Sequence, residues 1–200
     1  MAEIIPFQAD NLPKIIERFK AGKLIAFPTD TVYGLGTTIE DRKAIRRLYR
    51  VKQRELTKPS QLLIGEIKQL SKYIIENTPQ TELLIRRFWP GPLTIIFKAS
   101  LEVPHYLCHS GKIAIRFPRY ELLQNTITKL GSPIVASSCN LEGENPPSSF
   151  ENISPKITSK IDAVLVGKTI LGLESTIVDP TSSPLCVLRE GAITKEQLGI

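Results

Sequence analysis

Apolar residues recur at two spacings along this chain, and the switches between them outline its elements. Leu12, Ile15, Ile16 and Phe19 share one face at helical spacing. Asn11 is placed to cap that helix, Pro13 falls in its first turn, and Gly22 fits its stop. The run 24–27 is short and wholly apolar, which predicts a buried strand closed by Pro28. A loop is predicted over 29–36. Asp41 opens a second helix reaching about residue 50, with Ile45, Leu48 and Tyr49 on its apolar side.

Further along, 62–64 predicts a strand, and helical patterns cover 67–76 and 81–88 until Trp89-Pro90-Gly91-Pro92 breaks the second. Strands are predicted at 93–97 and 113–117. A helix over 120–130 stops at Gly131, and a strand follows at 134–136. The stretch 137–155 is polar and rich in Pro and Ser, so it predicts a long loop, a type of segment that is usually functional. Strands at 163–166, 176–178 and 185–188 and a helix over 194–198 close the chain. Helices and strands mix along the whole length, with no repeat and no linker. The expectation is a single α/β domain over 1–200, a twisted mixed β-sheet with flanking helices.

Composition narrows the function. The 200 residues are 42% apolar, enough for a sizeable core. The net charge of +6 favours anionic partners, whether nucleic acid, nucleotide or carboxylate. Cys108, Cys139 and Cys186 are odd in number, widely spaced and without a C-x-x-C pair. That argues against a disulfide framework or zinc ribbon, and free thiols suit a reducing cytosol. The first ten residues lack the pattern of a signal peptide, and no run approaches the roughly 18 apolar residues of a membrane span. A cytoplasmic chain with no membrane contact is expected.

Several motif fragments fail on their own terms. Gly167-Lys168-Thr169 resembles the end of a phosphate-binding loop, but Asp162 stands where its first glycine belongs. Gly34-Leu35-Gly36 begins a dinucleotide fingerprint that Ile39 interrupts. His105, Cys108 and His109 have metal-ligand spacing on a helix but no nearby carboxylate or second thiol, so no protein-bound metal is expected. With two histidines in the chain, a Ser-His-Asp or Cys-His mechanism has no local support.

Five segments keep their chemistry. In Pro28-Thr29-Asp30-Thr31-Val32-Tyr33-Gly34-Leu35-Gly36, hydroxyls suit a carboxylate, Asp30 an ammonium, and the glycines a close ligand approach. A turn satisfying its own backbone is the alternative. Lys52-Gln53-Arg54 with Lys58-Pro59 ends a basic segment of Arg42, Lys43, Arg46, Arg47 and Arg50. These are the groups a polyphosphate needs, against a solvated helix face or an RNA-facing patch. In Gly111-Lys112-Ile113-Ala114-Ile115-Arg116-Phe117-Pro118, the arginine lies within an apolar strand and must meet an anion, either a ligand or a core carboxylate. Ser137-Ser138-Cys139-Asn140 and Glu174-Ser175-Thr176-Ile177-Val178-Asp179, the latter leading to Leu188-Arg189-Glu190-Gly191-Ala192, place hydroxyls, an amide and an arginine at strand ends. Such a set suits chemistry that works by positioning and charge neutralisation, as at a phosphate.

The chain resembles the YrdC-like family. PTDTVYGLG at 28–36, K-x-R at Lys52 and Arg54, PGPLT at 90–94, IAIRFP at 113–118, SSCN at 137–140, ESTIVD at 174–179 and LREGA at 188–192 follow the family's order. The resemblance implies a twisted α/β fold with a large, positively charged central cavity. It implies synthesis of threonylcarbamoyl-adenylate and pyrophosphate from L-threonine, bicarbonate and ATP, the latter with Mg²⁺. Partner enzymes of the family pass the threonylcarbamoyl group to adenosine 37 of tRNA. Contact with tRNA or double-stranded RNA is a family expectation that spacing leaves open.

By the same resemblance, Thr31, Arg116 and Ser175 bind threonine with the Ala136 backbone beside them. Arg54, Lys58, Lys112, Ser138, Asn140, Pro146 and Arg189 bind ATP, and Lys52 and Arg54 act in catalysis. Cys139 replaces the family's usual alanine, and Glu142 stands where serine is common. The chain stops soon after Ala192, as in the family's short form. Two rival readings are an RNA-binding or ribosome-assembly protein using the same basic cavity, and a carbamoyl-adenylate enzyme like the related domain of hydrogenase maturation proteins.

Overall fold

The computed structural model describes residues 1–55, 58 and 60–200. Pro59 of the second motif lies outside the described residues. In chain order the strands are β1 (Glu3–Pro6), β2 (Ile25–Phe27), β3 (Gly34–Thr38), β4 (Gln61–Leu63), β5 (Leu93–Lys98), β6 (Lys112–Arg116), β7 (Ile134–Ser138), β8 (Ala163–Val166), β9 (Thr176–Asp179) and β10 (Cys186–Arg189). The helices are α1 (Leu12–Lys20), α2 (Arg42–Lys52), α3 (Leu70–Tyr73), α4 (Pro79–Phe88), α5 (Glu121–Leu130), α6 (Pro155–Thr158) and α7 (Lys195–Leu198). All ten strands join one mixed sheet in the order β1-β8-β2-β3-β7-β4-β6-β5-β9-β10.

The period of two sorts each strand between two faces. On one face Ala26, Leu35, Leu62, Ile95, Ile115, Val135 and Val178 join the larger core, packed with Ile45, Leu48 and Tyr49 of α2 and Leu84 of α4. On the other, Ile25, Phe27, Leu63, Ile134, Ala163 and Leu165 pack under Ile15 and Phe19 of α1 and Leu123 and Ile127 of α5. That second cover stops short. Farther along the same face, Ala114, Arg116, Thr94, Ile96 and Ile177 border a cavity instead of a helix.

Local chemistry accounts for the ends. Asp41 caps α2 through Oδ1, which accepts from the backbone of Lys43 (2.8 Å) and Ala44 (2.9 Å). Gly22 and Gly131 follow α1 and α5 with positive φ. Asn11 precedes α1 without capping it, because its amide donates to the Pro6 carbonyl at 2.8 Å.

Three expectations need correction. Residues 34–38 form a strand, not a loop, paired with β2 and β7 and wholly buried. Gly-Leu-Gly-Thr-Thr carries one large apolar residue, so its sequence has no strand pattern to read. β1 carries no sequence prediction. The helix expected over 67–76 is a 3₁₀ turn, Ile67–Gln69, plus the single turn of α3, and Ile74 bridges to Ala99. The 137–155 segment starts inside β7 and is tied down, with Cys139 N–H on Tyr33 O and Tyr33 N–H on Pro147 O, both at 2.8 Å. His105 lies in a 3₁₀ turn and His109 bridges to Lys112, so Cys108 and the histidines share no α-helical face. Among the described residues no helix is long and apolar enough to cross a membrane.

Candidate active site

The sheet registers set the cavity floor. Leu63 pairs with Arg116, Arg116 with Thr94, Thr94 with Ile177, and Ile177 with Arg189. Paired residues point to the same side of a sheet, so this row crosses five strands on the uncovered face. A second row runs Ala136, Gln61, Ala114, Ile96. The resulting cavity measures about 200 Å³. Arg54, Arg116 and Arg189 all line it, together with Thr31, Ala136, Ser138 and Ser175.

Arg116 meets a core carboxylate, one of the two anions its strand position allows. Its Nη2 donates to Asp30 Oδ1 at 2.5 Å, its Nη1 to Thr31 Oγ1 at 2.8 Å and its Nε to the Gly91 carbonyl at 3.1 Å. Burial pulls the guanidinium pKa down while Asp30 opposes the shift. The sequence suits Asp30 either to an ammonium or to its own turn. It sits instead behind Arg116, with Oδ2 buried and without a hydrogen-bond partner. Thr31 is oriented by Thr29: Thr29 Oγ1 donates to Val32 O (2.7 Å), so Thr31 must donate to Thr29 (2.9 Å) and accept from Arg116.

Across the floor, Arg189 donates to Glu174 Oε1 (2.6 Å), to the Ser175 carbonyl (3.0 Å) and to Ser175 Oγ (3.1 Å). Burial lowers its pKa and Glu174 opposes that shift. Thr94 donates to Gln61 Oε1 at 2.9 Å, so Ser175 must donate its proton to Thr94, also at 2.9 Å. Arg54 follows the left-handed Gln53 that ends α2, and its Nη1 donates to Ser137 Oγ at 2.9 Å.

The remaining expected residues do not line the cavity. Lys52 Nζ donates to the carbonyls of Ser138 and Asn140 and faces Asn140 Oδ1 at 3.4 Å. Those three acceptors match an ammonium's three donors. Burial lowers its pKa to about 8. Asn140 turns its amide nitrogen to the carbonyls of Leu141 (3.0 Å) and Glu144 (2.6 Å). Lys58 is exposed and pairs with Glu142. Lys112 lies on the same face of β6 as Arg116 but pairs with Asp179 at 2.8 Å. Pro146 is half-buried in the loop after β7. Burial pushes the neighbouring Cys139 thiol up to about 12, which keeps it a thiol rather than a nucleophilic thiolate.

Of the basic segment, Arg42, Lys43, Arg46 and Arg50 are exposed on α2, and Arg47 is bound to Asp162 at 2.5 Å. That part is a solvated helix face. Gln61, Thr94 and Glu174 line the cavity without having carried a role in the sequence reading. The signal that could have found them is a polar residue interrupting a short apolar strand or standing at its end. Among the described residues, no group of three or more His, Cys, Asp or Glu side chains could hold a metal.

The Sua5/YciO/YrdC family model, described as telomere recombination, matches residues 17–191. The threonylcarbamoyl-AMP synthase of Pyrococcus abyssi is 35% identical over 181 residues, covering 90% of this chain and 53% of that protein. The threonylcarbamoyl-AMP synthase of Bacillus subtilis is 33% identical over 194 residues, covering 94% of this chain and 56% of that protein. The chain thus spans about half the length of these curated relatives. The crystal structure of P. abyssi Sua5 complexed with L-threonine superposes with a TM-score of 0.92 at 32% identity, covering 99% of this chain and 59% of that one.

Proposed function

The chain belongs to the Sua5/YciO/YrdC family, and on that premise we propose that it makes threonylcarbamoyl-adenylate from L-threonine, bicarbonate and ATP. One observation carries the reading: Arg54, Arg116 and Arg189 converge on a single cavity with Thr31 and Ser175. Three guanidiniums border the cavity, Arg116 paired with Asp30 and Arg189 with Glu174, and guanidinium groups lining a cleft suit a polyphosphate.

The residues divide into two groups. Arg116 uses three of its five N–H groups on the protein, leaving one on each terminal nitrogen for the threonine carboxylate. Thr31 and Ser175 lie beside that position, with the Ala136 backbone. Arg54, Arg189 and Ser138 take the phosphates. The threonine amine combines with bicarbonate to give a carbamate and water. A carbamate oxygen then attacks the α-phosphorus of ATP, and the bond to the β-phosphate oxygen breaks, releasing pyrophosphate. Arg54 and Arg189 stabilise the charge that develops on the phosphates. Mg²⁺ arrives with ATP and neutralises phosphate charge when bound. Lys52 acts indirectly, by holding the Ser138–Asn140 turn. The product goes to cytoplasmic proteins that transfer the group to tRNA.

The test is pyrophosphate release by the purified chain, omitting threonine, bicarbonate and ATP in turn. Release should require all three. Release without threonine would remove the reading. The RNA-binding alternative draws on exposed Arg42, Lys43, Arg46 and Arg50. A salt-dependent gel shift without threonine-dependent pyrophosphate release would favour it.

A further inference from the structure

We propose that Gln61 reads the side-chain hydroxyl of the amino-acid substrate and sets the preference for threonine over its isostere valine. The inference deepens the functional reading above and rests on it.

The geometry begins with the register. Gln61 stands on β4 between Ala136 of β7 and Ala114 of β6. Its side chain crosses β6 to reach Thr94 on β5, which Ala114, a methyl group, leaves room for. The hydrogen bond from Thr94 Oγ1 to Gln61 Oε1 orients the amide, and the rest of the chain is consistent with it. Arg189 donates into Ser175, Ser175 into Thr94, and Thr94 into Gln61 Oε1. With the oxygen committed to Thr94, the amide nitrogen takes the other side. Its two N–H donors meet no partner among the described residues, and Gln61 lines the cavity.

A neutral double donor on a cavity floor wants an oxygen acceptor. The guanidiniums around it are better partners for carboxylate and phosphate, which carry charge. A neutral hydroxyl is the matching group for an amide. The alanines beside Gln61 in the row offer apolar surface to a methyl group. An amide flanked by two methyls complements a carbon bearing both hydroxyl and methyl, the side chain of threonine. Valine puts a methyl where the oxygen belongs and would leave both amide donors buried and unpaired, which costs more than methyl shape alone.

The experiment measures kcat/KM for pyrophosphate release with L-threonine, L-valine and L-serine in wild type, Gln61→Met and Gln61→Leu. Binding of each amino acid without ATP is followed by calorimetry. Met keeps the length and removes the amide. Leu removes the amide on a shorter, branched side chain, so agreement between the two variants assigns the effect to the lost amide and not to shape. The threonine-to-valine ratio within each variant should fall by about 10- to 100-fold, the size expected when an unpaired buried donor no longer penalises valine. The threonine-to-serine ratio should hold within a factor of three. A folded variant that keeps the wild-type threonine-to-valine ratio overturns the proposal. If one variant does not fold, the other decides. Wild type that neither binds threonine nor releases pyrophosphate with it removes the functional reading, and this inference falls with it.

Discussion

Asp30 Oδ1 accepts from Arg116 Nη2 at 2.5 Å, and both side chains are almost sealed from solvent at 3% exposure. The pair joins the loop after β2 to the end of β6, and it aims the guanidinium that the next residue, Thr31, also contacts. Removing the acid would leave a buried cation facing no counter-charge. Asp30→Ala should therefore lower stability by about 3–5 kcal/mol, the cost typical of breaking a buried pair from one side. Urea denaturation checks it. A loss below about 1 kcal/mol would mean that solvent reaches Arg116 and that the pair is not what orients it.

The two substrate groups should separate by mutation. Arg54→Ala should abolish ATP-dependent pyrophosphate release while calorimetry still finds threonine bound. Arg116→Ala should lose threonine binding, with a fall of more than about tenfold, as expected for a charge-assisted hydrogen bond worth roughly 1.5–3 kcal/mol. Near-normal turnover by Arg54→Ala would take that residue out of the mechanism. Equal loss of threonine affinity in both variants would show that the two groups are not distinct.

Much of this site was legible because arginines and hydroxyls at strand ends are conspicuous. Arg116 announced itself as a charge inside an apolar strand, and the structure supplied both a carboxylate and a cavity. The glycine-rich strand β3 was not legible, since its burial comes from neighbours on both sides rather than from its own side chains. Lys52 and Arg54 look equivalent in the sequence. They diverge because Gln53 takes φ 54° at the end of α2, sending one cation under the Ser138–Asn140 turn and the other to the cavity. The resemblance gives Lys112 to ATP, and only the sheet order shows that Asp179 stands alongside it at 2.8 Å. Gln61 needed the register of three strands before its amide had a place.

Gly36 carries a prediction about packing. The glycines at 34 and 36 suit a close ligand approach, and Gly34 does line the cavity. At Gly36, however, an added Cβ would lie 2.7 Å from Ile134 Cγ2 and 2.7 Å from the Val135 carbonyl. The close approach there is between β3 and β7. Gly36→Ala should destabilise by about 1–3 kcal/mol, the usual cost of overpacking a core. Thermal unfolding measures it. A neutral substitution would show that β7 can withdraw without loss.

Lys52 predicts a pH dependence of known sign. Its folded pKa is about 8 against the ordinary lysine value of 10.5, with burial the main cause. Between those values the unfolded chain holds a proton that the folded chain has released, so this group's contribution to stability rises with pH across about 8 to 10.5. Below pH 8 the folded state carries the buried charge and its full penalty. Lys52→Met lacks the titration and also leaves the carbonyls of Ser138 and Asn140 without their donor. At pH 7 those unpaired acceptors cost the variant about 1–3 kcal/mol while relief of the buried charge works the other way, so the deciding quantity is how the gap, wild-type stability less that of the variant, changes with pH. The gap should widen by pH 9.5, because only wild type gains from losing the proton, while every other titrating group is shared and cancels in the difference. Urea denaturation of both proteins at the two pH values provides the comparison. A gap that stays constant or narrows would place the Lys52 ammonium in contact with water, free of the penalty that shifts it, and the turn it holds would need another support.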